Sequence, residues 1–192
     1  MYLPLAISLA VAALAGGPLI SLIGYYNPPL LFGSVLAAIG AGLITTLAPD
    51  TSAEKWIAYQ IVYGFGIGLA FQPPYIAVQT VLDDSLVPTA LVMLSYTQQF
   101  GGIVILSIAQ NVFLIRLASN LAAQVPGLDP RIVLDSGALG LIDAVPAEYR
   151  DQVLYAYNGA LVNVFYIALG LQCVVFLCSL GIEWKSVKVE KK

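Results

Sequence analysis

The chain has 192 residues, of which 59% are hydrophobic and only 10% are charged. About a quarter of the residues of an ordinary soluble domain are charged, so this composition excludes that class and indicates a protein that crosses the lipid bilayer several times. The formal net charge is −3 and the sequence has no histidine. Without clustered Lys and Arg, nucleic acid is excluded as a partner, and without metal-ligand spacings we expect no metal site and no cofactor.

The first two apolar runs each have the length of a membrane span. A helix needs about 20 residues to cross a hydrocarbon core of about 30 Å. Residues 3–23 and 30–48 meet this requirement, and Pro28 and Pro29 between them stop the first helix before the second begins. A cleaved signal peptide is the disfavoured alternative for the first run, because no positive charge precedes it. The Gly and Ala residues of the second run favour close helix packing.

The third apolar run, residues 56–82, contains an unusual polar stripe. No residue charged at neutral pH lies between Lys55 and Asp83. Polar and small residues recur at steps of three or four, which places them on one helix face: Gln60, Gly64, Gly68, Gln72, Tyr75 and Gln79. Such a face turns toward other helices or toward a cavity, so the stripe predicts either helix packing or the wall of a substrate path. The adjacent Pro73 and Pro74 predict a kink near Gln72, either static or a hinge.

The rest of the chain adds two spans around a polar insert. We expect a four-span segment over residues 1–115, an extracellular loop with short helices over 116–157, a final span over 158–182 and a basic tail over 183–192. Within the insert, residues 130–136 predict a short helix that stops at Gly137. Pro146 predicts the start of a second helix that continues into the final span.

The basic residues predict the orientation. Four of the eight Lys and Arg residues lie in the last ten positions, directly after a span. The positive-inside rule therefore places this C-terminal tail in the cytoplasm, and five spans then place Met1 outside.

Several segments resemble one family of membrane transporters. The segment GPLISLIGYY, residues 17–26, resembles the degenerate second copy of the major facilitator loop motif, with Gly17, Leu19 and Gly24 matching and the charged positions replaced. Further segments are similar to the C-terminal portion of fungal fourteen-span drug:proton antiporters, the group that includes efflux pumps for peptide and polyketide toxins. They are YGFGIG at 63–68, FQPP at 71–74, QTVL at 79–82, QNV at 110–112, AYN at 156–158 and EWKSV at 183–187, together with Gln98, Gly101 and Gly102.

This resemblance implies an all-α polytopic membrane bundle of about five transmembrane helices that forms part of a major facilitator C-terminal half. It implies efflux of a hydrophobic small-molecule substrate, with the N-terminal helices of the same transporter as a partner. We expect the chain to be a truncated fragment, inactive by itself, in the plasma membrane or alternatively the vacuolar membrane. The spans contain no Asp, Glu or His, so the proton-binding residue of an antiporter is expected elsewhere.

Neutral side chains are the candidates for contact with the substrate. The candidate substrate-binding residues are Gln60, Tyr63, Gln72, Tyr75, Gln79, Gln98 and Gln99. The candidate hinge or packing residues are Gly64, Gly68, Pro73, Pro74, Gly101 and Gly102. Two alternatives stay open: a non-transporting subunit that packs with a separate helical half, and a membrane enzyme. We predict no enzyme and no catalytic residue, because no convergent set of catalytic groups lies in the spans.

Overall fold

The described part of the chain folds into α-helices. The computed structural model describes residues 3–125 and 145–187. In these ranges the helices are α1 (Leu3–Ile23), α2 (Asn27–Ile44), α3 (Ala53–Phe71), α4 (Pro73–Val81), α5 (Val87–Gln124) and α6 (Arg150–Leu180). A 3₁₀ turn, Ala147–Tyr149, precedes α6. Since α3 and α4 together form one candidate span, five helical units are long and apolar enough to cross a membrane. The predicted all-α membrane bundle is confirmed.

Helix α3 lies between α1 and α2, and glycines permit this close approach. A Cβ atom added at Gly66 would lie 2.8 Å from the carbonyl oxygen of Gly33 on α2. One added at Gly68 would lie 2.7 Å from Cβ of Ala12 on α1. Both distances are far below van der Waals contact, so any side chain here would push the helices apart. Helix α6 packs against α2, and α5 packs against α6.

The third span is interrupted at Gln72, as the adjacent prolines predict. Helix α3 ends at Phe71 and α4 begins at Pro73. Pro73 and Pro74 have no backbone N–H, so two hydrogen bonds of the helical ladder cannot form. Gln72 nevertheless keeps helical backbone angles, φ −78° and ψ −37°. The residue before a proline is disfavoured in helical geometry, but Gln72 keeps it, so we attribute the break to the missing donors.

Helices α5 and α6 extend beyond the expected limits of the fourth and fifth spans. Helix α5 continues to Gln124 and α6 begins at Arg150, directly after the 3₁₀ turn that follows Pro146. The expected boundaries of the insert, 116 and 157, therefore fall inside helices. The short helix predicted for residues 130–136 and its stop at Gly137 lie outside the described residues.

The extended ends of α5 and α6 share a small hydrophobic core, which we call the hairpin core. It consists of Leu117, Leu121, Val125, Val145, Val153, Ala156 and Ala160. The side-chain amide of Asn120 also donates a 3.0 Å hydrogen bond to the carbonyl oxygen of Ala156. At 1.5 Å per residue, α5 is about 57 Å long, whereas the hydrocarbon core measures about 30 Å. The hairpin core therefore lies at or beyond one membrane surface.

Residues 182–187, after α6, return to the connection between α1 and α2. Gly24 turns this connection with φ 82°, a conformation that favours glycine. The hydroxyl of Tyr26 donates to the carbonyl oxygen of Glu183 at 2.5 Å, and Val187 N–H donates to Gly24 at 2.9 Å. The fully buried Asn27 side chain donates to the carbonyl oxygen of Ile182 at 3.1 Å. These contacts form what we call the tail clasp.

The surroundings of Tyr26 in the tail clasp raise the pKa of its phenol. Burial raises the pKa of the Tyr26 phenol, and the nearby Glu183 carboxylate raises it further, whereas a hydrogen bond with the backbone of Lys185 lowers it. The phenol is thus a hydrogen-bond donor at neutral pH.

The clasp also shows that residues 24–27 and 182–187 lie at one end of the bundle. At the other end, Asn158 of α6 donates to the carbonyl oxygen of Leu47 at 2.8 Å.

Candidate functional site

The seven candidate substrate-binding residues do not share one site. Tyr75 and Gln98 line a cavity between α3, α4, α5 and α6, which we call the central cavity. Gln60 lines a different cavity beside the α2–α3 connection, which we call the end cavity. The remaining four residues line neither cavity.

The central cavity has a volume of about 330 Å³ and is lined by Ile67, Ala70, Phe71, Pro74, Tyr75, Leu94, Thr97, Gln98, Gln172 and Val175. Gln98 lies eleven residues from the start of α5, and Gln172 lies eight residues from the end of α6. At 1.5 Å per residue these positions are roughly 12 to 16 Å inside the helix ends. That depth is near the middle of a hydrocarbon core of about 30 Å.

A hydrogen bond between two candidate residues joins the walls of the central cavity. The hydroxyl of Tyr75 on α4 donates to Oε1 of Gln98 on α5 at 2.6 Å. This bond orients the amide and leaves its Nε2 donors without a partner among the described residues. Phe71 adds an aromatic face, with its ring 5.9 Å from that of Tyr75. An apolar cavity with a few oriented neutral groups suits an uncharged hydrophobic molecule with one or two polar atoms.

Sequence reasoning missed two polar residues of the central cavity, Thr97 and Gln172. Gln172 sits alone among apolar neighbours in the final span, and an amide at membrane depth usually faces a cavity or another helix. That signal could have identified it. Thr97 has no comparable signal, because a threonine in a span commonly bonds to its own helix.

The other candidate residues occupy three kinds of environment. Gln72 faces α1, since a Cβ atom added at Gly16 would lie 3.6 Å from its Cγ. Tyr63 packs on α2 and α6: its backbone N would lie 2.6 Å from a Cβ at Gly40, and its ring meets Phe165 edge to face at 6.5 Å. Gln79 and Gln99 are exposed.

The candidate hinge or packing residues also differ in their surroundings. Gly64 and Gly68 are buried against α1, where an added Cβ atom would collide with Ser8 and Ala12 respectively. Gly101 and Gly102 on α5 have no described atom within 4 Å of an added Cβ. Pro73 is buried at the break of the third span.

The end cavity has a volume of about 350 Å³. Its walls come from the ends of α2 and α3, from α6 and from Leu5 of α1. Gln60 and Asn158 are its side-chain amides, and no described residue donates a hydrogen bond to the buried Oε1 of Gln60.

Known proteins with similar sequences are fungal transporters. The chain is 41% identical over its full length to "MFS-type efflux pump MFS1" of Arthroderma benhamiae, of which it covers 36%. It is 40% identical over 98% of its length to "Aspyridones efflux protein" of Neocamarosporium betae, of which it covers 34%. It is 43% identical over 92% of its length to "Efflux pump aflT" of Aspergillus parasiticus, of which it also covers 34%.

The chain thus spans about a third of the length of these curated relatives. No family model and no solved structure matches it. The similarity extends through all five candidate spans, and an all-α membrane bundle is the architecture that a major facilitator transporter requires. The chain is therefore similar, over nearly its whole length, to about a third of the length of fungal MFS-type efflux pumps, as the resemblance of its motifs implies.

Proposed function

We propose that this chain forms one wall of the path by which a transporter exports an uncharged hydrophobic small molecule. The observation that carries the proposal is the hydrogen bond from Tyr75 to Gln98 in the wall of the central cavity. The names of the relatives support export, and one of them is named for the aspyridones. Toxins, secondary metabolites and drugs are the proposed substrate class.

The chemistry of the central cavity supports an uncharged substrate. Each of its ten lining residues is uncharged at neutral pH. A charged ligand would lose its hydration at membrane depth without gaining an opposite charge, whereas a hydrophobic ligand gains contact with Phe71 and its aliphatic neighbours. The Nε2 donors of Gln98 would bind an acceptor oxygen of such a ligand.

We propose that other helices of the same transporter complete the path. Among the described elements α5 packs mainly on α6 and touches α4. Large apolar side chains cover the rest of its surface, including Val92, Met93, Tyr96, Phe100, Ile103 and Leu106. Facilitator transporters operate by rocking two helical halves around a site near the membrane midplane. The proposed partner of this α5 face is the N-terminal helices, and without them the chain does not transport.

Proton coupling is proposed to depend on that partner. A coupling group must gain and lose a proton within the membrane, which favours Asp, Glu or His. The apolar runs that form the spans of this chain contain none of these residues. We therefore assign to this chain substrate contact and packing, with no catalytic role, and we assign proton binding to the partner helices.

A chimeric pump tests this function. The chain replaces the matching third of the Arthroderma relative, and the chimera is expressed in yeast that lacks its own drug pumps. Efflux of the uncharged dye Nile red is measured. Gln98→Leu and Tyr75→Phe are expected to raise the concentration for half-maximal efflux about three- to tenfold, since each removes one hydrogen bond. Gln152→Leu, at an exposed position near the start of α6, lines neither cavity and is the matched control, which is expected to have no effect.

Two results would contradict the proposal. A chimera that reaches the membrane and exports no hydrophobic dye would reject the transport function. A transporting chimera in which both central-cavity variants behave like the control would reject the assigned site.

The exposed face of α5 also suits the alternative of a non-transporting subunit that packs with a separate helical half. Co-purification distinguishes the two functions, because a subunit of this kind binds a separate helical polypeptide stably without conferring dye efflux.

We propose the plasma membrane as the site of action, with residues 182–187 at the cytoplasmic end of the bundle.

A further inference from the structure

We propose that the end cavity is a second ligand site, selective for an uncharged aromatic molecule that carries a hydroxyl or N–H donor. Its lining residues are Leu5, Ile44, Leu47, Ala48, Pro49, Thr51, Trp56, Gln60, Asn158, Leu161, Val162 and Phe165. This site is distinct from the central cavity, with which it shares no residue.

The two cavities lie at different depths along the third span. Gln60 and Phe71, one from each cavity, are eleven residues apart on α3. At 1.5 Å per residue this separation is about 16 Å along the helix axis. Pro49 and Thr51 of the α2–α3 connection line the end cavity, which therefore reaches the membrane surface, whereas the central cavity lies near mid-depth.

The amide of Gln60 gives the end cavity an unsatisfied hydrogen-bonding group. Its Oε1 is shielded from solvent and accepts no hydrogen bond from any described residue. A buried polar atom without a partner is destabilising. A ligand in the cavity that carries a donor can pair with the oxygen after a small rotation of the side chain.

The second amide is already held in place. Nδ2 of Asn158 donates to the carbonyl oxygen of Leu47 at 2.8 Å, which ties α6 to the end of α2. This bond fixes the amide plane and leaves Oδ1 of Asn158 as a further acceptor. A ligand donor can thus pair with the oxygen of Gln60, the one that is buried without a partner among the described residues.

The remaining walls favour an aromatic ring. Trp56 and Phe165 line the cavity together with aliphatic side chains, and offset or edge-to-face ring contacts add to the benefit of apolar burial. The volume of about 350 Å³ is within the range of small-molecule sites. No lining residue is charged at neutral pH, so an ionic ligand would be desolvated without compensation.

A matched pair of probes tests this selectivity. 2-Naphthol has a hydroxyl donor, and 2-methoxynaphthalene has the same ring system without the donor. The full chain is reconstituted in lipid nanodiscs, and the binding of each probe is measured by titration calorimetry with empty nanodiscs subtracted. We expect saturable binding of both probes, with 2-naphthol binding about three- to tenfold more tightly, the range for one hydrogen bond.

Three variants assign the result to the cavity. Gln60→Leu is expected to remove the preference for 2-naphthol and to retain 2-methoxynaphthalene binding. Val162→Phe, which fills the cavity, is expected to weaken the binding of both probes at least tenfold. Gln110→Leu, on the exposed surface of α5, is expected to change neither. Each variant must elute as the parent chain does in size-exclusion chromatography, so that loss of folding is detected separately.

The proposal is overturned by any of three outcomes with folded protein. One is the absence of saturable binding. Another is equal affinity for the two probes, which would indicate an apolar, lipid-filled crevice. The last is a preference for 2-naphthol that persists in Gln60→Leu. Because no transport is measured, failure here leaves the proposed export function intact, and failure of the efflux assay leaves this site intact.

Discussion

At the scale of single residues, glycines of the third and fourth spans have different surroundings. Gly66 is buried between helices, and an added Cβ atom would lie 2.8 Å from the carbonyl oxygen of Gly33. Gly101 has no described atom within 4 Å of an added Cβ. Both glycines belong to segments that resemble the family, so sequence resemblance alone does not distinguish a packing glycine from a surface glycine.

Substituting these two glycines with alanine should therefore give different results. Gly66→Ala forces α2 and α3 apart, and overpacking of this kind costs about 1–3 kcal/mol. For a chain of this length we expect the melting temperature to fall by roughly 5 °C. Gly101→Ala, the matched control, should leave the melting temperature unchanged or slightly higher, because alanine favours the helix. Thermal denaturation in detergent measures both, and equal destabilisation would contradict the packing role of Gly66.

At the scale of helices, the segments outside the bilayer have their own stabilising contacts. The hairpin core joins the ends of α5 and α6 and includes the fully buried Leu121. The tail clasp joins residues 182–187 to the α1–α2 connection through Tyr26 and Asn27. Hydrophobic burial stabilises the hairpin core, whereas hydrogen bonds to backbone carbonyl oxygens stabilise the tail clasp.

The hairpin core should depend on Leu121. Replacing a buried leucine with alanine costs about 2–5 kcal/mol. We expect Leu121→Ala to accelerate amide hydrogen exchange in residues 117–125 and 150–160 by at least tenfold, without a comparable change in α2. Leu114→Ala, at a position that is 38% exposed, is the control. Uniform acceleration through all helices would show that the hairpin core does not unfold as a separate unit.

The tail clasp should depend on Asn27. Asn27→Ala removes donors to the carbonyl oxygens of Ile182 and Glu183, and each lost hydrogen bond costs about 0.5–1.5 kcal/mol. We expect trypsin to cleave after Lys185 about tenfold faster in this variant. Ser21→Ala serves as the control, since that hydroxyl donates to the carbonyl oxygen of Gly17 within its own helix. An unchanged cleavage rate would show that the Asn27 bonds do not hold the tail.

At the scale of the whole molecule, hydrogen bonds between distant segments show which connections between helices lie at the same end of the bundle. The tail clasp places residues 24–27 and 182–187 at one end, and the bond from Asn158 to Leu47 places the α2–α3 connection and the start of α6 at the other. This grouping agrees with five crossings. The lysines of the tail predict that the clasp end faces the cytoplasm.

Cysteine labelling tests that orientation. Single cysteines are placed at Ser52 and at Trp184, both exposed, in a chain in which Cys173 and Cys178 are replaced by serine. A membrane-impermeant maleimide should label Ser52→Cys in intact cells and Trp184→Cys only after permeabilisation. The reverse pattern would contradict the cytoplasmic assignment of the tail.

Much of the fold followed from the sequence because its signals are local. Span length, the charge-free runs and the missing N–H groups of Pro73 and Pro74 act within one helix, so the five spans and the break at Gln72 could be predicted. The continuation of α5 beyond residue 115 could not be predicted. Leu117 and Leu121 continue the helical spacing of α5 beyond residue 115, but their helix is stabilised by Val153 and Ala156, which are distant in sequence.

The sequence by itself determined that this protein is an all-α membrane bundle with a stripe of neutral polar residues in its third span. The stripe could not be assigned, because periodicity defines a helix face but not the neighbour of each turn. Only the tertiary structure decided that Gly64 and Gly68 pack against α1, that Tyr75 meets Gln98, and that Gln60 lies in a separate cavity. The physical reason is that α1, α2 and α5 contact different turns of the third span and α6 contacts it through Phe165, so one stripe faces several environments.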